Sequence, residues 1–336
     1  MIHRTLASLV ASCALAAGFL AAGPVAAAEA KQSEETVESV AHRGDKQHHP
    51  DNSLAGIESA IDKGADWVEI DVHYNIAGDK FYLSHDNLCK GPGGTALIDS
   101  GSPKRIEENC QLPTLDDVFA AFGKQTATNF VYEFKHTGLT TVKGARRLAQ
   151  EIEEHGQSSR AWVSGFSDLG LKTIKDQKTG IKLMRVRTWT GEGPVSRAWI
   201  SSAANQGFDA ININLDALRP DIVDYAKSLG LTVSAWGWPD AFEKDNQKAI
   251  DMNVDMFMTD RLDDLHQRLG RCHIHRELRT KEKTCAVHFL PSLWRHCPLL
   301  PWLPAPSEAV GETPPTGQEP LFPITRLRNG PTGMTF

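Results

Sequence analysis

Between Val37 and Arg268, short apolar runs rich in β-branched residues alternate with longer amphipathic runs. The short runs have the length of strands, and the longer runs repeat apolar residues with the period of a helix face. Strands are predicted at Glu38–His42, Trp67–Val72, Phe130–Phe134, Ala161–Gly165, Lys182–Val186, Asp209–Asn214, Thr232–Trp236 and Asp255–Met258. Helices are predicted at Ser53–Lys63, Thr114–Phe122, Thr140–His155, Ser167–Asp176, Pro194–Asn205, Pro220–Leu229, Ala241–Asp251 and Asp263–Leu269.

Regular alternation of strands and helices predicts an α/β fold, a parallel sheet closed into a (β/α)8 barrel, the TIM-barrel fold. The alternative is an open, doubly wound sheet, which would call for a phosphate-binding G-x-G-x-x-G turn after the first strand. That turn is absent from the sequence. The barrel is therefore the favoured interpretation, and we assign it to residues 31–269.

The first 30 residues form a separate segment. A basic start at His3 and Arg4 precedes an apolar run, and small residues near Ala28 offer a cleavage site. This pattern predicts a secretory signal peptide over residues 1–30 and a secreted protein, extracellular or periplasmic. A lipoprotein interpretation of Cys13 is the weaker alternative because the apolar run continues beyond it.

An insertion follows the second predicted strand. Phe81–Ser84 resembles an extra strand, and the Gly-, Pro- and Ser-rich segment Asp86–Pro113 after it is predicted to be a loop. Cys89 and Cys110 bracket most of that loop. In an exported protein they are predicted to form a disulfide, which would close the loop and contribute about 3 kcal/mol to stability. Two free buried thiols are the alternative.

Residues 270–336 are rich in Pro and Arg and show no steady period, which predicts an irregular, poorly ordered tail. Cys272, Cys285 and Cys297 lie among histidines there, but their spacing matches no paired C-x₂-C zinc pattern. The chain as a whole carries a net charge of −6. This balance offers no electrostatic argument for a nucleic-acid partner, and the apolar pattern after residue 30 predicts no stable membrane anchor.

Acidic residues mark the ends of two neighbouring predicted strands. Glu69 and Asp71 share one side of the second strand, because strand side chains alternate with a period of two. Glu133 and Lys135 share a side of the third. At the same rim of a barrel, the acids would form an all-oxygen site of the kind that Ca²⁺ or Mg²⁺ prefers. The alternative for the third strand is a simple Glu133–Lys135 ion pair.

Two histidines are predicted at the same rim. His42 ends the first strand and is followed by Arg43, and His85 ends the extra strand. A pair of imidazoles allows one ring to accept a proton while the other donates one. Lys135 would add a positive charge suited to a phosphate oxygen.

These residues stand in an ordered series of motifs. The motifs are Ala41-His42-Arg43-Gly44, Pro50-Asp51-Asn52-Ser53, Glu69-Ile70-Asp71-Val72, His85-Asp86, Glu133-Phe134-Lys135, Val233-Ser234-Ala235-Trp236 and Val254–Arg261. Together they resemble the glycerophosphodiester phosphodiesterase family over roughly the whole proposed barrel.

The resemblance implies metal-dependent hydrolysis of small glycerophosphodiesters to glycerol 3-phosphate and an alcohol. It implies His42 and His85 as general acid and base, Glu69, Asp71 and Glu133 as ligands of one divalent cation, Ca²⁺ or Mg²⁺, Arg43 and Lys135 as phosphate contacts, and Trp236 as a pocket wall. In the mechanism proposed for the family, a glycerol hydroxyl of the substrate attacks phosphorus, and water then opens the cyclic phosphate.

Three departures from the family pattern bear on function. Asp51 stands where the family usually has a longer glutamate, which puts that side chain's contact in doubt. Trp236 is followed by Gly237-Trp238-Pro239 rather than the usual Thr-Val-Asn, which puts substrate choice in doubt. The bridged loop is similar to one in sphingomyelinase D toxins, so a phospholipase of that kind is an alternative. A barrel that binds phosphodiesters without cleaving them is another.

Overall fold

A computed structural model describes residues 37–123, 129–135, 138, 140–187, 193–237 and 242–271, without the side chains of residues 242 and 243. The predicted signal peptide and the tail from residue 272 onward lie outside the described residues. So do the three tail cysteines, and Trp238 and Pro239 after the strand that ends in Trp236. Among the described residues, no helix combines the length and apolar character needed to cross a bilayer.

Strands and helices alternate along the chain much as predicted. The strands are β1 (Glu38–Ala41), β2 (Trp67–Asn75), β3 (Lys80–Leu83), β4 (Leu88–Gly91), β5 (Gly94–Leu97), β6 (Phe130–Lys135), β7 (Ala161–Gly165), β8 (Lys182–Val186), β9 (Ala210–Asn214), β10 (Thr232–Trp236) and β11 (Met256–Thr259). The α-helices are α1 (Leu54–Asp62), α2 (Pro103–Cys110), α3 (Leu115–Phe122), α4 (Thr141–Glu154), α5 (Asp168–Lys175), α6 (Arg197–Asn205), α7 (Pro220–Ser228), α8 (Phe242–Asp251) and α9 (Leu262–Arg268). Single 3₁₀ turns lie at Ser158–Arg160 and Leu215–Ala217.

Eight parallel strands close into a barrel in the order β1-β2-β6-β7-β8-β9-β10-β11. Closure follows from β1, which pairs in parallel with β11 on one side and with β2 on the other. The (β/α)8 prediction is therefore confirmed, and the open sheet is excluded because it would leave two unpaired edges.

Alternation along β6 separates the interior of the barrel from its outer layer. Val131 packs inside the barrel with Trp162, Met184 and other interior side chains. Tyr132 and Phe134 point the other way and pack under the surrounding helices. The alternation that was predicted from sequence thus sends Glu133 and Lys135 inward, on the side of Val131.

Side-chain caps fix the beginnings of several helices. Ser53 accepts a hydrogen bond from Gly56 N at 3.1 Å, and Ser167 accepts one from Gly170 N at 3.2 Å. Thr114 and Asp117 form a reciprocal capping box at the start of α3. The helix predicted to begin at Pro194 begins at Arg197 instead, because Ser196 caps it by accepting a hydrogen bond from Trp199 N.

The second strand is longer than predicted because a partner supports its end. β2 continues to Asn75, and β3 pairs antiparallel with its last four residues. This confirms the extra, hairpin-like strand. Asn75 then donates to the carbonyl oxygens of Ile98 and Gly101, which ties the end of β2 to the insertion.

The insertion is the bridged loop predicted from sequence, but it contains more regular structure than its composition indicated. It contains the β4–β5 hairpin and helix α2, and Cys89 is bonded to Cys110 as predicted. Its own small core includes Ile98 and Ile106, which pack with Tyr82. The segment shows no period because its elements are four to eight residues long and bury only one or two side chains each.

We expect the Cys89→Ser/Cys110→Ser double variant to lose about 3 kcal/mol of unfolding free energy, because the bridge closes a loop with a sequence separation of 21 residues. Urea unfolding of both proteins under non-reducing conditions measures the difference. Equal midpoints and equal slopes would show that the bridge does not constrain the unfolded chain.

Candidate active site

A cavity of about 380 Å³ lies at the C-terminal ends of the barrel strands. It is lined by His42, Arg43, Lys46, His85, Glu133, Lys135, Phe166, Val186, Asn212, Trp236, Gly237 and Met258. Six of the eight residues predicted for catalysis, substrate or metal are among them. The other two, Glu69 and Asp71, are buried and contact Arg43 and Lys135.

Two neighbouring strands bring the three acids together. Glu69 and Asp71 lie on one side of β2, and Asp71 is the register partner of Glu133 on β6. One carboxylate oxygen from each of the three lies within 4.8 Å of the others, and all three residues are buried. The strand pairing therefore produces the acidic cluster that the sequence pattern predicted.

Lys135 and Arg43 offset part of the negative charge. Lys135 Nζ lies 3.1 Å from Asp71 Oδ1 and also donates to Glu133. Burial raises the pKa of Asp71, but the charges of Lys135 and Arg43 outweigh it and bring the pKa to about 2. The Glu133–Lys135 ion pair considered from sequence is thus present, and it forms one edge of the acidic cluster.

Of the three acids, Glu69 has the negative charge that neighbouring cations compensate least. Burial and the charges of Asp71 and Glu133 raise its pKa well above the ordinary value. Its Oε1 is buried and accepts no hydrogen bond from any described residue. A buried, unpaired oxygen beside two further carboxylates fits a hard divalent cation, which takes oxygen ligands and supplies the missing positive charge. The residues present therefore fit a Ca²⁺ or Mg²⁺ ion.

Arg43 is placed by an unusual turn after β1. Its φ is 59°, and Gly44 follows with a φ of 82°. A Cβ at Gly44 would lie 2.8 Å from the backbone carbon of Gly56, so this close approach to α1 requires glycine. The turn directs Arg43 N to donate to Glu69 Oε2 at 2.8 Å, while Arg43 Nε lies 3.2 Å from Asp71.

The Pro50–Ser53 motif lies in the connection between β1 and α1 and supports Asp71. Asn52 Nδ2 donates to Asp71 Oδ2, and Asp71 N donates to Asn52 Oδ1, both at 2.9 Å. Asp51, whose contact was in doubt because its side chain is short, accepts from Arg43 Nη1 at 2.9 Å. Asn52 is thus a positioning residue to which sequence reasoning assigned no role of its own in the site, although its place in the motif was a signal.

His42 is held by a carboxylate that sequence reasoning had not assigned a role. Its Nδ1 lies 2.6 Å from Asp260 Oδ1, and Lys46 Nζ lies 3.1 Å from Asp260 Oδ2. Burial raises the pKa of Asp260, but the hydrogen bond and charge of His42, with Lys46, outweigh it and lower the pKa to about 2. The ionised Asp260 accepts from Nδ1–H, which leaves Nε2 of a neutral His42 as its proton acceptor. The signal was the position of Asp260 immediately after the last barrel strand.

His85 lies in a more open setting. Its Nδ1 is 2.8 Å from Asp86 Oδ1, and about half of its side chain is exposed. Burial and the charges of Lys135 and Arg43 lower its pKa. The pair of Asp99 and His73, 2.9 Å apart, links the end of β2 to the insertion beside His85.

A sequence model of the Glycerophosphoryl diester phosphodiesterase family matches residues 42–90 and 82–264, which together exceed half of the 336-residue chain. The chain belongs to this family. By class, the protein is therefore a phosphoric diester hydrolase.

Individual relatives extend over nearly the whole barrel. A glycerophosphodiester phosphodiesterase of Caldanaerobacter subterraneus is 22% identical over 235 residues, covering 66% of this chain and 93% of that protein. The crystal structure of a glycerophosphodiester phosphodiesterase from Parabacteroides distasonis is 23% identical with a TM-score of 0.60, covering 70% of this chain and 97% of that one. An Oleispira antarctica phosphodiesterase in complex with its product sn-glycerol-3-phosphate is 20% identical with a TM-score of 0.59, covering 70% and 97%. At this identity the solved structures establish the shared fold.

The contacts of Asp260 predict an acid-sensitive contribution to stability. Because its pKa falls from 3.8 unfolded to about 2 folded, the ionised carboxylate contributes about 2 kcal/mol at neutral pH. A lowered folded pKa means that this stability is present above pH about 5 and is lost as the pH falls toward 2. We expect Asp260→Asn to be less stable than wild type at pH 7 and equally stable near pH 2, as measured by urea unfolding. Asp176→Asn, at an exposed site remote from the cavity, is the control. If Asp260→Asn were as much less stable than wild type near pH 2 as at pH 7, the ionised carboxylate of Asp260 would not be the source of the stability.

Proposed function

We propose that this family member is a divalent-cation-dependent glycerophosphodiester phosphodiesterase that releases glycerol 3-phosphate and an alcohol. The observation that carries the proposal is the convergence of His42, His85 and the acidic cluster on one cavity in a chain that matches the family over its barrel. The product bound to the Oleispira relative supports the same substrate class.

The cavity offers a site for the phosphate on its charged side. Arg43 and Lys135 both line it, and each keeps its positive charge because its pKa is raised by the neighbouring carboxylates despite burial. Glu69, Asp71 and Glu133 would hold the cation, whose charge offsets negative charge on the phosphoryl oxygens. The phosphodiester would thus be oriented by fixed charges before reaction begins.

The two histidines would move the protons. Nε2 of His42 takes the proton from the attacking glycerol hydroxyl, and a new bond from that oxygen to phosphorus forms as the bond to the alcohol breaks. His85 gives its proton to the departing alkoxide. In the second step water opens the cyclic phosphate, with the histidines in exchanged roles. Asp260 would stabilise His42 when it is protonated, in the way that a carboxylate supports other general bases.

We expect His42→Ala to lower kcat for glycerophosphocholine by roughly 100- to 10,000-fold, because removal of a general base typically has this effect. His48→Ala, at an exposed histidine that does not line the cavity, should retain activity. Release of glycerol 3-phosphate measures both variants. Unchanged activity of His42→Ala would place the active site elsewhere, and turnover of sphingomyelin alone would favour the sphingomyelinase D-like alternative.

Metal dependence is tested separately. We expect EDTA to abolish activity and Ca²⁺ or Mg²⁺ to restore it, because Lys135 and Arg43 compensate only part of the negative charge of the acidic cluster. Glu69→Gln should remain inactive at the concentration that restores wild type. Full wild-type activity in chelator would show that the reaction needs no cation. The role of His42 would then still be tested independently by the His42→Ala variant.

We also infer that residues 1–30 direct export and that the mature enzyme, with its barrel from residue 31 to 269, acts outside the cytoplasm. Support comes from the apolar run near the amino terminus and from the Cys89–Cys110 bridge, which persists in oxidising compartments. Amino-terminal sequencing of the protein recovered from an exporting host should begin close to Ala28. An intact Met1 in the cytoplasmic fraction alone would contradict export.

A further inference from the structure

The cavity has two chemically different halves. Its charged residues come from β1, β2, β6 and the connections that follow them. The opposite wall consists of side chains at the ends of β7 to β11, namely Phe166, Val186, Asn212, Trp236 and Met258. In the barrel order β9 lies directly across from β2, so Asn212 faces the acidic strand from the far side. The amide of Asn212 is the distinctive polar group on this otherwise largely apolar wall.

Asn212 is buried without full use of its hydrogen-bonding groups. Its side chain is 1% exposed, and Nδ2 lies 3.3 Å from Met258 Sδ. A thioether sulfur accepts weakly and cannot donate, so the NH₂ group belongs on that side and Oδ1 is left as the acceptor. Oδ1 accepts no hydrogen bond from the described residues, and neither does the hydroxyl of Ser234, the register partner on β10.

A buried amide oxygen without a hydrogen bond destabilises the fold. That cost is offset where a bound ligand donates a hydrogen bond to the oxygen. Val186 and Met258 beside it offer no hydrogen-bond donor, and the hydroxyl of Ser234 makes no hydrogen bond to it. The neighbouring Asn214 differs in its oxygen, because its Oδ1 accepts from Asp216 N at 2.9 Å. Its Nδ2 has no partner among the described residues, but its side chain does not line the cavity. Two asparagines on one strand thus have separate uses, one for the fold and one facing the ligand space.

We propose that Asn212 determines specificity for the glycerol unit, with its Oδ1 accepting a hydrogen bond from the free terminal hydroxyl. This inference rests on the proposed function. With the phosphate on Arg43 and Lys135, the remainder of the diester extends toward the opposite wall. Asn212 is almost fully buried, so it suits the small three-carbon unit that these substrates share, whereas a variable head group needs the solvent-exposed side of the cavity.

The experiment compares two diesters of choline in wild type and in Asn212→Leu. One is glycerophosphocholine. The other replaces glycerol by 1,2-propanediol, which keeps the hydroxyl that attacks phosphorus and lacks only the terminal one. We expect wild type to prefer the glycerol diester by roughly 10- to 100-fold in kcat/KM, and Asn212→Leu to reduce that preference to below about three-fold. Because the readout is a ratio within one protein, a smaller folded fraction does not alter it.

Asn214→Leu is the matched control and should retain the wild-type preference. Asn212→Ala serves if the leucine variant does not fold. The inference is overturned if wild type shows no preference, if the Asn212 variants keep it, or if Asn214→Leu loses it equally. Failure of the proposed function is distinguishable, since wild type would then hydrolyse neither diester.

Discussion

Compensation of buried negative charge is the constraint on which the rest of this site depends. Three carboxylates meet within a few ångströms inside the mouth of a barrel, where they are shielded from water. Burial alone would favour their protonated forms. Lys135 and Arg43 keep Asp71 ionised, but Glu69 remains strongly disfavoured as an anion. The cluster therefore requires more positive charge than the protein supplies, which is the physical basis for expecting a divalent cation.

Several elements with no direct chemical role hold this arrangement in place. The turn at Arg43 and Gly44 allows one residue to support two acids, one through its backbone and one through its side chain. Asn52 fixes Asp71 through a reciprocal pair of hydrogen bonds. Asp260 fixes His42 from its position immediately after the last strand, which closes the barrel against the first. Barrel closure is thus also what assembles the proposed general base with its supporting carboxylate.

The insertion after β2 holds the second histidine in place in a similar way. It has a small core and a disulfide of its own, and it is tied to the prolonged end of β2 by Asn75 and by the His73–Asp99 pair. His85 begins this insertion and is more exposed than His42. A rigid support for a solvent-facing histidine is consistent with one acid/base group deep in the cavity and one nearer the departing alcohol.

The local pattern by itself was enough to predict the barrel and the inward direction of the acids, because helix and strand periods and side-chain alternation are properties of neighbouring residues. Glu69, Asp71, Glu133 and Lys135 follow from that alternation once the strands are parallel neighbours. The partners of Asp260 and Asn212 could not be predicted in this way, because each partner lies 46 or more positions away in the sequence. The position of Asn212 opposite the acidic strand is likewise known only once the barrel is closed. The bridge and the extra strand of the insertion were predicted, but its hairpin and short helix were not, since these elements are stabilised by contacts with β2 and by the bridge rather than by their own periodicity. Sequence thus determined which strands carry chemistry, while tertiary structure decided which side chains meet, because only ring closure brings residues from opposite ends of the chain within hydrogen-bonding distance.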